Sequence, residues 1–491
     1  MKHILAIDVG SSSVRLIVYR CAEGALAAHI MLSAPYAFRS DSAGASEIEA
    51  AFLQTLIEGL LDALCARSDL PPIDAVCMAT FVGNLLGVDA EGRALTPIYT
   101  YADTRCAAQV AQLRTALGAD GLRESHQRVG CMLHTAYHAP KLLWLSQQGV
   151  RPAQWTDFAT YLYRAWFGRA DVPCSYSVAS WSGILDGVRL AWDAEWLARL
   201  GLQAEQLPPL ADYCAVQRGL AAEYAARWQP LRAVPFFLAV GDGAAANIGS
   251  GAAAHGEVAL TIGTTAALRV ISAEGSPSLP HGIWRYRVDA RHHLIGGATS
   301  EGGNIFHWVR QNFQLPDSES LEQMLSARAA DAHALTFLPM LAGERAPHWN
   351  PSALGTLHGV RLSTTALDVL QAALEGVALR LAAIARLLNL PETPIWAGGG
   401  ALRASRAWSQ MVADALAVPL RLVAEDEPTA RGAAIMALAA LGEAALTDFP
   451  PAVEAVITPR PEGVRALRAA AERQAALYQA LYGDVNKNST G

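Results

Sequence analysis

Two stretches of this chain repeat one another. The first is Leu5-Ala6-Ile7-Asp8-Val9-Gly10-Ser11-Ser12-Ser13-Val14-Arg15-Leu16-Ile17-Val18-Tyr19. The second runs from Val258 to Ile271 and sets Gly263 under Gly10, Thr264 under Ser11 and Thr265 under Ser12, with apolar runs on both sides. Each reads as strand, small polar turn, strand. One such hairpin arises by chance. Two, each early in its half of the chain, predict two related α/β domains facing each other, with the seam near Gly241. Glycine lets main-chain N–H groups approach an anion, and the Ser hydroxyls and Arg15 add donors. Asp8, where the first strand ends, can hold a metal through water, as magnesium sites often do. Taken alone, the opening stretch also reads as a plain surface hairpin with a polar tip.

The segments between these hairpins follow an alternating α/β pattern. Ala25 to Ser33 reads as a third strand, and Ser46 to Ala66 as a helix with Phe52, Leu56, Leu60 and Leu64 on one face. Ile73 to Ala79 reads as a buried strand leading to Phe81-Val82-Gly83-Asn84. Loops at carboxyl ends of such strands form ligand pockets in open α/β sheets. Tyr99 to Arg105 precedes a helix, where Asp103 and Arg105 fit either a cap and a solvated charge or a binding pair. Gly130 to His134 is a loop, Pro140 to Leu145 opens a helix, and Ser175 to Ser180 is a tight polar loop. Phe236 to Val240 ends in Gly241-Asp242-Gly243, whose glycines leave the carboxylate open. Asp242 fits equally well as an ordinary helix cap. Further on, Ser300 to Gly303 precedes a helix, Glu344 to Trp349 is a loop, and a long helix starts near Thr365 with Asp368 completing a capping box. Ile395-Trp396-Ala397 runs into Gly398-Gly399-Gly400-Ala401, a strand-to-helix turn that admits a nucleotide to main-chain contact. Glu427-Pro428-Thr429 opens an Ala-rich helix, and Asp484 to Gly491 reads as a frayed tail.

Composition narrows the class. The 491 residues suggest roughly two to four domains. Hydrophobic residues at 52% against 17% charged supply large cores and argue against disorder. A formal net charge of −7 offers no footprint for nucleic acid. No run reaches the ~20 apolar residues of a membrane span, and the opening residues do not form a secretory signal. Seven dispersed Cys without a C-x-x-C pair predict reduced thiols in a cytoplasmic protein and no zinc site.

Three glycine-bearing turns at strand ends, with Asp8 and Asp242 at others, describe a cleft that holds a polyphosphate and its metal. On these residues the chain resembles the FGGY family of carbohydrate kinases, within the actin-like ATPase superfamily. Asp8 to Arg15 resembles that family's first phosphate loop, Gly241-Asp242-Gly243 its catalytic aspartate segment, Thr261 to Thr265 its second phosphate loop, and Gly399-Gly400-Ala401 its adenosine turn. The stretch from Gly355 to Glu375 matches the C-terminal family pattern, and Lys141 to Leu145 part of the N-terminal one, from which Ala136 and His138 depart. The resemblance implies two duplicated actin-like (ribonuclease H-like) α/β domains around a central cleft. It places a sugar-binding domain with the first phosphate loop at 1–240, a nucleotide-binding domain at 241–447, and a peripheral helix and tail at 448–491.

The same resemblance implies ATP and Mg2+. Asp242 would be the catalytic base. Gly10, Ser11, Ser12, Ser13, Arg15, Gly263, Thr264, Thr265, Gly399, Gly400, Ala401 and Ser405 would bind the nucleotide, and Asp8 and Asp242 the metal. Asn84, Asp103, Arg105, His134, Ser180, Asp242 and Arg345 would hold the substrate. A small sugar or sugar acid is the expected partner, with no nucleic acid or membrane, and a homodimer is left open. Gluconate is the first candidate, because Arg105, His134, Lys141 and Arg345 are available to meet its carboxylate. A ketopentose, D-xylulose or D-ribulose, is the alternative. Glycerol is disfavoured, since no Arg-Glu motif lies near Phe81. A reading from another class is an actin-like ATPase switch without sugar chemistry.

Overall fold

The computed structural model describes residues 1–273 and 278–488. Each hairpin of the repeat seeds one seven-stranded sheet. In the first, Lys2–Val9 pairs antiparallel with Ser13–Ala22, which pairs antiparallel with Ala25–Pro35. On the other side Lys2–Val9 pairs parallel with Ala75–Thr80. In the second, Val258–Ile262 pairs with Ala266–Ala273, which pairs with His292–Thr299, and Ile395–Gly398 lies parallel on the other side. The two sheets thus share one topology, as the repeated hairpin predicts.

Helices cover both sheets. The helix expected after the third strand spans Ala50–Cys65, but its buried face is Leu53, Ile57, Leu61 and Leu64. Phe52 is 54% exposed. Apolar doublets at Phe52-Leu53, Leu56-Ile57 and Leu60-Leu61 made two faces equally apolar, and packing selected the one shifted by a residue. Ser46 to Ile48, expected inside this helix, forms a short strand instead. The polar stretch read as a loop is helical, as Tyr176–Ala179 followed by a 3-10 turn at Ser180–Ser182. The long helix is Ala366–Leu388, with the expected capping box between Thr365 and Asp368. Its buried run is nearly continuous from Val369 to Ala382, because other elements pack around it on more than one side.

The segment after Asp448, read as peripheral, is built into the second domain. Val453–Ile457 is the edge strand of the second sheet, beside Leu420–Val423. Helix Pro461–Asn488 buries Leu467, Ala470 and Tyr478 against the same half. The expected tail is therefore helical up to Asn488, and residues 489–491 lie outside the described ones.

Helix Pro428–Ala440 crosses the seam. It packs on the first sheet, where Ala430, Ala433, Ala434 and Ala437 join one apolar cluster with Ile4, Ala6, Ile17, Ala75 and Cys77. Beside it lies helix Asp242–Gly249. A Cβ built at Gly249 would stand 1.8 Å from the Pro428 carbonyl oxygen, and one at Gly432 would stand 1.8 Å from that of Ala245. Only paired glycines let two helix backbones approach so closely. Arg431 adds to the lock, donating to the carbonyls of Gly249 at 3.0 Å and Phe449 at 2.9 Å.

Candidate active site

Strand register sets the two aspartates. Ala79 lies between Asp8 on one side and Val240 on the other, and Thr80 between Val9 and Gly241. Asp8 and Asp242 therefore stand at neighbouring strand ends with one strand between them, about 10 Å apart along the sheet. Asp8 is 3% exposed, and its Oδ1 has no hydrogen-bond partner among the described residues. Burial pushes its carboxyl up to about 7, against the pull of Arg15 and with added push from Asp242 and Glu427. Asp242 heads its helix half-buried, and its Oδ1 accepts from the Gly243 N–H at 2.7 Å. Protein encloses it enough that burial raises its carboxyl to about 6, opposed by that N–H and by Arg269. Two carboxyls held near neutrality at one cleft can exchange protons with a bound hydroxyl.

The turns beside them are alike. Gly10 donates to the Ser13 carbonyl at 3.0 Å, and Gly263 to that of Thr265 at 3.0 Å. Ser11, Ser12, Thr264 and Thr265 are exposed. Arg15 stands directly across the hairpin from Asp8, with Nη1 3.7 Å from its Oδ2.

A cavity of about 450 Å³ opens behind the second turn. Five of the expected nucleotide residues, Gly263, Thr264, Gly400, Ala401 and Ser405, line it together. Gly399 sits at φ +101°, and a Cβ there would stand 2.4 Å from the Ile262 carbonyl oxygen. Register explains the meeting, since Gly398 pairs with Thr261 and so brings the glycine run beside the second hairpin turn. Phe306, Leu321, Leu325 and Trp408 give apolar walls suited to a planar base. Sequence reading missed these, because helix periodicity assigns such residues to the core. The Ser405 hydroxyl is already engaged, donating to Glu322 at 2.7 Å and capping Trp408 at 3.0 Å.

The expected substrate residues divide in two. Asn84 is 1% exposed, with its amide spent on the main chain of Phe81 at 2.5 Å and Phe158 at 2.7 Å. Asp103 accepts from the N–H groups of Ser46 and Arg105, each at 3.1 Å, and pairs with the Arg105 guanidinium. Glu47 takes the rest of the Arg105 charge at 2.5 Å, and Trp144 covers its face at 4.8 Å. Ser180 donates to Ser177 and accepts from the Arg287 N–H at 2.9 Å, tying the halves together. Lys141 is buried against the Thr135 carbonyl. Arg105 is thus neutralised by carboxylates, while Lys141 is tied to a main-chain carbonyl with no ion pair among the described residues.

His134 and Arg345 remain. His134 packs edge-on against Trp349 at 5.2 Å, and burial together with Arg345 holds its imidazole down to about 3, hence neutral. Arg345 has no ion pair or side-chain hydrogen bond among the described residues. The residue that sequence reading missed is Arg269. It lies mid-strand, with Nε buried and unpartnered and Nη1 3.5 Å from the Thr261 hydroxyl. Gly243 lies beside it and leaves room for the Trp181 ring, from which a Cβ there would stand 2.9 Å. The signal was an arginine inside an otherwise apolar strand just after a phosphate-type turn.

Known proteins share this arrangement. Residues 3–249 match the N-terminal domain model, and residues 258–441 the C-terminal domain model, of the FGGY family of carbohydrate kinases. The chain belongs to that family. It is a sugar kinase, an enzyme that moves a phosphoryl group to a small carbohydrate. It is 26% identical to a gluconokinase of Bacillus licheniformis over 460 residues, 90% of this chain and 88% of that one. A ligand-bound xylulose kinase structure from Lactobacillus acidophilus superposes with a TM-score of 0.90 at 25% identity, covering 99% of this chain and all 100% of that one. A gluconate kinase structure from the same organism superposes at 0.89 and 25%, covering 99% of each. No helix among the described residues is long and apolar enough to cross a membrane.

Proposed function

We propose that this kinase phosphorylates a hydroxyl of gluconate or a closely similar sugar acid, with ATP as donor. The observation that supports a sugar acid is unneutralised positive charge. Arg269 and Arg345 lie close enough for Arg345 to oppose the charge on Arg269, which Asp242 favours from beyond ion-pair distance, and neither guanidinium has an ion pair among the described residues. Two such guanidiniums in a cleft favour a ligand that brings a carboxylate to accept from both. A neutral ketopentose would leave them unpaired.

In this reading Asp242 accepts the proton of the attacking hydroxyl, which its carboxyl, poised at about 6, does well near neutral pH. Ser11, Ser12, Ser13, Thr264 and Thr265 donate to the phosphates with Arg15, and Gly10 and Gly263 let the main chain approach them. Gly399, Gly400 and Ala401 receive the adenosine part. Asp8 and Asp242 suit Mg2+, since Asp8 presents a buried oxygen without a hydrogen-bond partner among the described residues. Mg2+ held by these carboxylates would neutralise charge on the phosphates. Closure around the substrate excludes water and spares ATP from simple hydrolysis.

The test is a coupled ADP-release assay against gluconate, D-xylulose, D-ribulose and glycerol. Gluconate is expected to give the highest kcat/KM, and Arg345→Gln to raise its KM by about tenfold or more. A higher kcat/KM on either ketopentose overturns the sugar-acid reading. ATP turnover indifferent to every polyol favours the switch.

A further inference from the structure

Helix Pro428–Ala440 begins at the cleft, and the residue before it, Glu427, does not cap it. Its carboxylate reaches Arg15 instead, Oε1 standing 3.0 Å from Nε. Arg15 belongs to the strand that leaves the first phosphate turn, and its Nη1 lies 3.7 Å from Asp8. One guanidinium thus spans two carboxylates, one from each half of the chain. Glu427 is not a loose surface charge. Its helix is locked to the Asp242 helix through the Gly249–Gly432 crossing and the Arg431 bonds, and Arg431 also pairs with Glu425 at 3.1 Å.

We infer that Glu427 is a positioning residue for phosphoryl transfer, acting through Arg15. Arginine is long and loses much rotamer freedom when it docks on a phosphate. Glu427 restrains that freedom before the nucleotide arrives, and it aims the guanidinium along the first turn from the same helix pair that carries Asp242. Glu427 need not touch the substrate to do this. The inference rests on reading Arg15 as a phosphate-side donor.

The test is calorimetric binding of the magnesium complex of a non-hydrolysable ATP analogue to the full-length enzyme, which needs no knowledge of the sugar. The variants are Glu427→Gln, Arg15→Met and the double variant. Glu427→Gln is expected to weaken binding about tenfold, and Arg15→Met at least as much. The double variant should be no weaker than Arg15→Met alone, because Glu427 has nothing to hold once Arg15 is gone. Glu427→Asp, which keeps the charge, should recover part of the loss. Additive losses, or unchanged binding in Glu427→Gln, overturn the inference. So does a Glu427→Gln loss that excess Mg2+ restores, which would assign the carboxylate to the metal. If Arg15→Met alone leaves binding intact, the reading of Arg15 fails instead, and the two failures are told apart.

Discussion

Replacing Asp8 by Asn should make the ligand-free protein more stable while disabling it. Asp8 moves from 3.8 to about 7 on folding, chiefly through burial. The folded state therefore holds the proton more tightly than the unfolded one, and stability falls as pH rises between those values. Each unit is worth about 1.36 kcal/mol, so the ionised group costs the fold up to ~4 kcal/mol above pH 7. Asn has the shape without the charge and escapes that cost. Thermal unfolding followed by fluorescence in metal-free buffer should show the variant several degrees more stable at pH 8, with the gain shrinking as pH falls from about 7 and vanishing only well below 3.8, where Asp8 is protonated in both states. A variant that is less stable at pH 8, or a gain that is as large at pH 4 as at pH 8, refutes the argument. A loss at both pH values would mean that Asp8 is held by contacts, not strained by burial.

Asp242→Asn should cut kcat by ~10²–10⁴ while nucleotide binding measured by calorimetry survives. In the unaltered enzyme, kcat/KM for the sugar should rise with pH through about 6, because Asp242 must be ionised to accept a proton, and this acid limb should be absent from the residual activity of the variant. Gly399→Ala should raise the KM for ATP and leave the KM for the sugar near its original value, since the clash is with the Ile262 carbonyl behind the nucleotide cavity. Gly432→Ala should lower the unfolding temperature and the soluble yield, as its methyl would displace the Ala245 backbone.

The paired hairpins and the glycine run beside the second were legible because their signals are local. A glycine turn between two apolar strands specifies hairpin and anion site in one stretch, and the repeat at Gly263 confirmed the pairing of halves. The substrate side is assembled from distant segments, and there polar residue types mislead. Nothing in the sequence tells that Asn84 is consumed by the main chain of Phe81 and Phe158, or that Glu47 neutralises Arg105. Arg269 was overlooked for the converse reason. Its place depends on burial beside Asp242 and on having no ion pair among the described residues, and neither is visible along the chain.

Helix Pro428–Ala440 sets an order on biosynthesis. A ribosome delivers the first sheet early, but the helix that lies over Ile4, Ala6, Ile17 and Ala75 emerges only after most of the second sheet. Until then the nascent chain carries a bare apolar face. The first half is thus an obligate client of the second, and a fragment ending near Gly249 would be released with that face uncovered and prone to association.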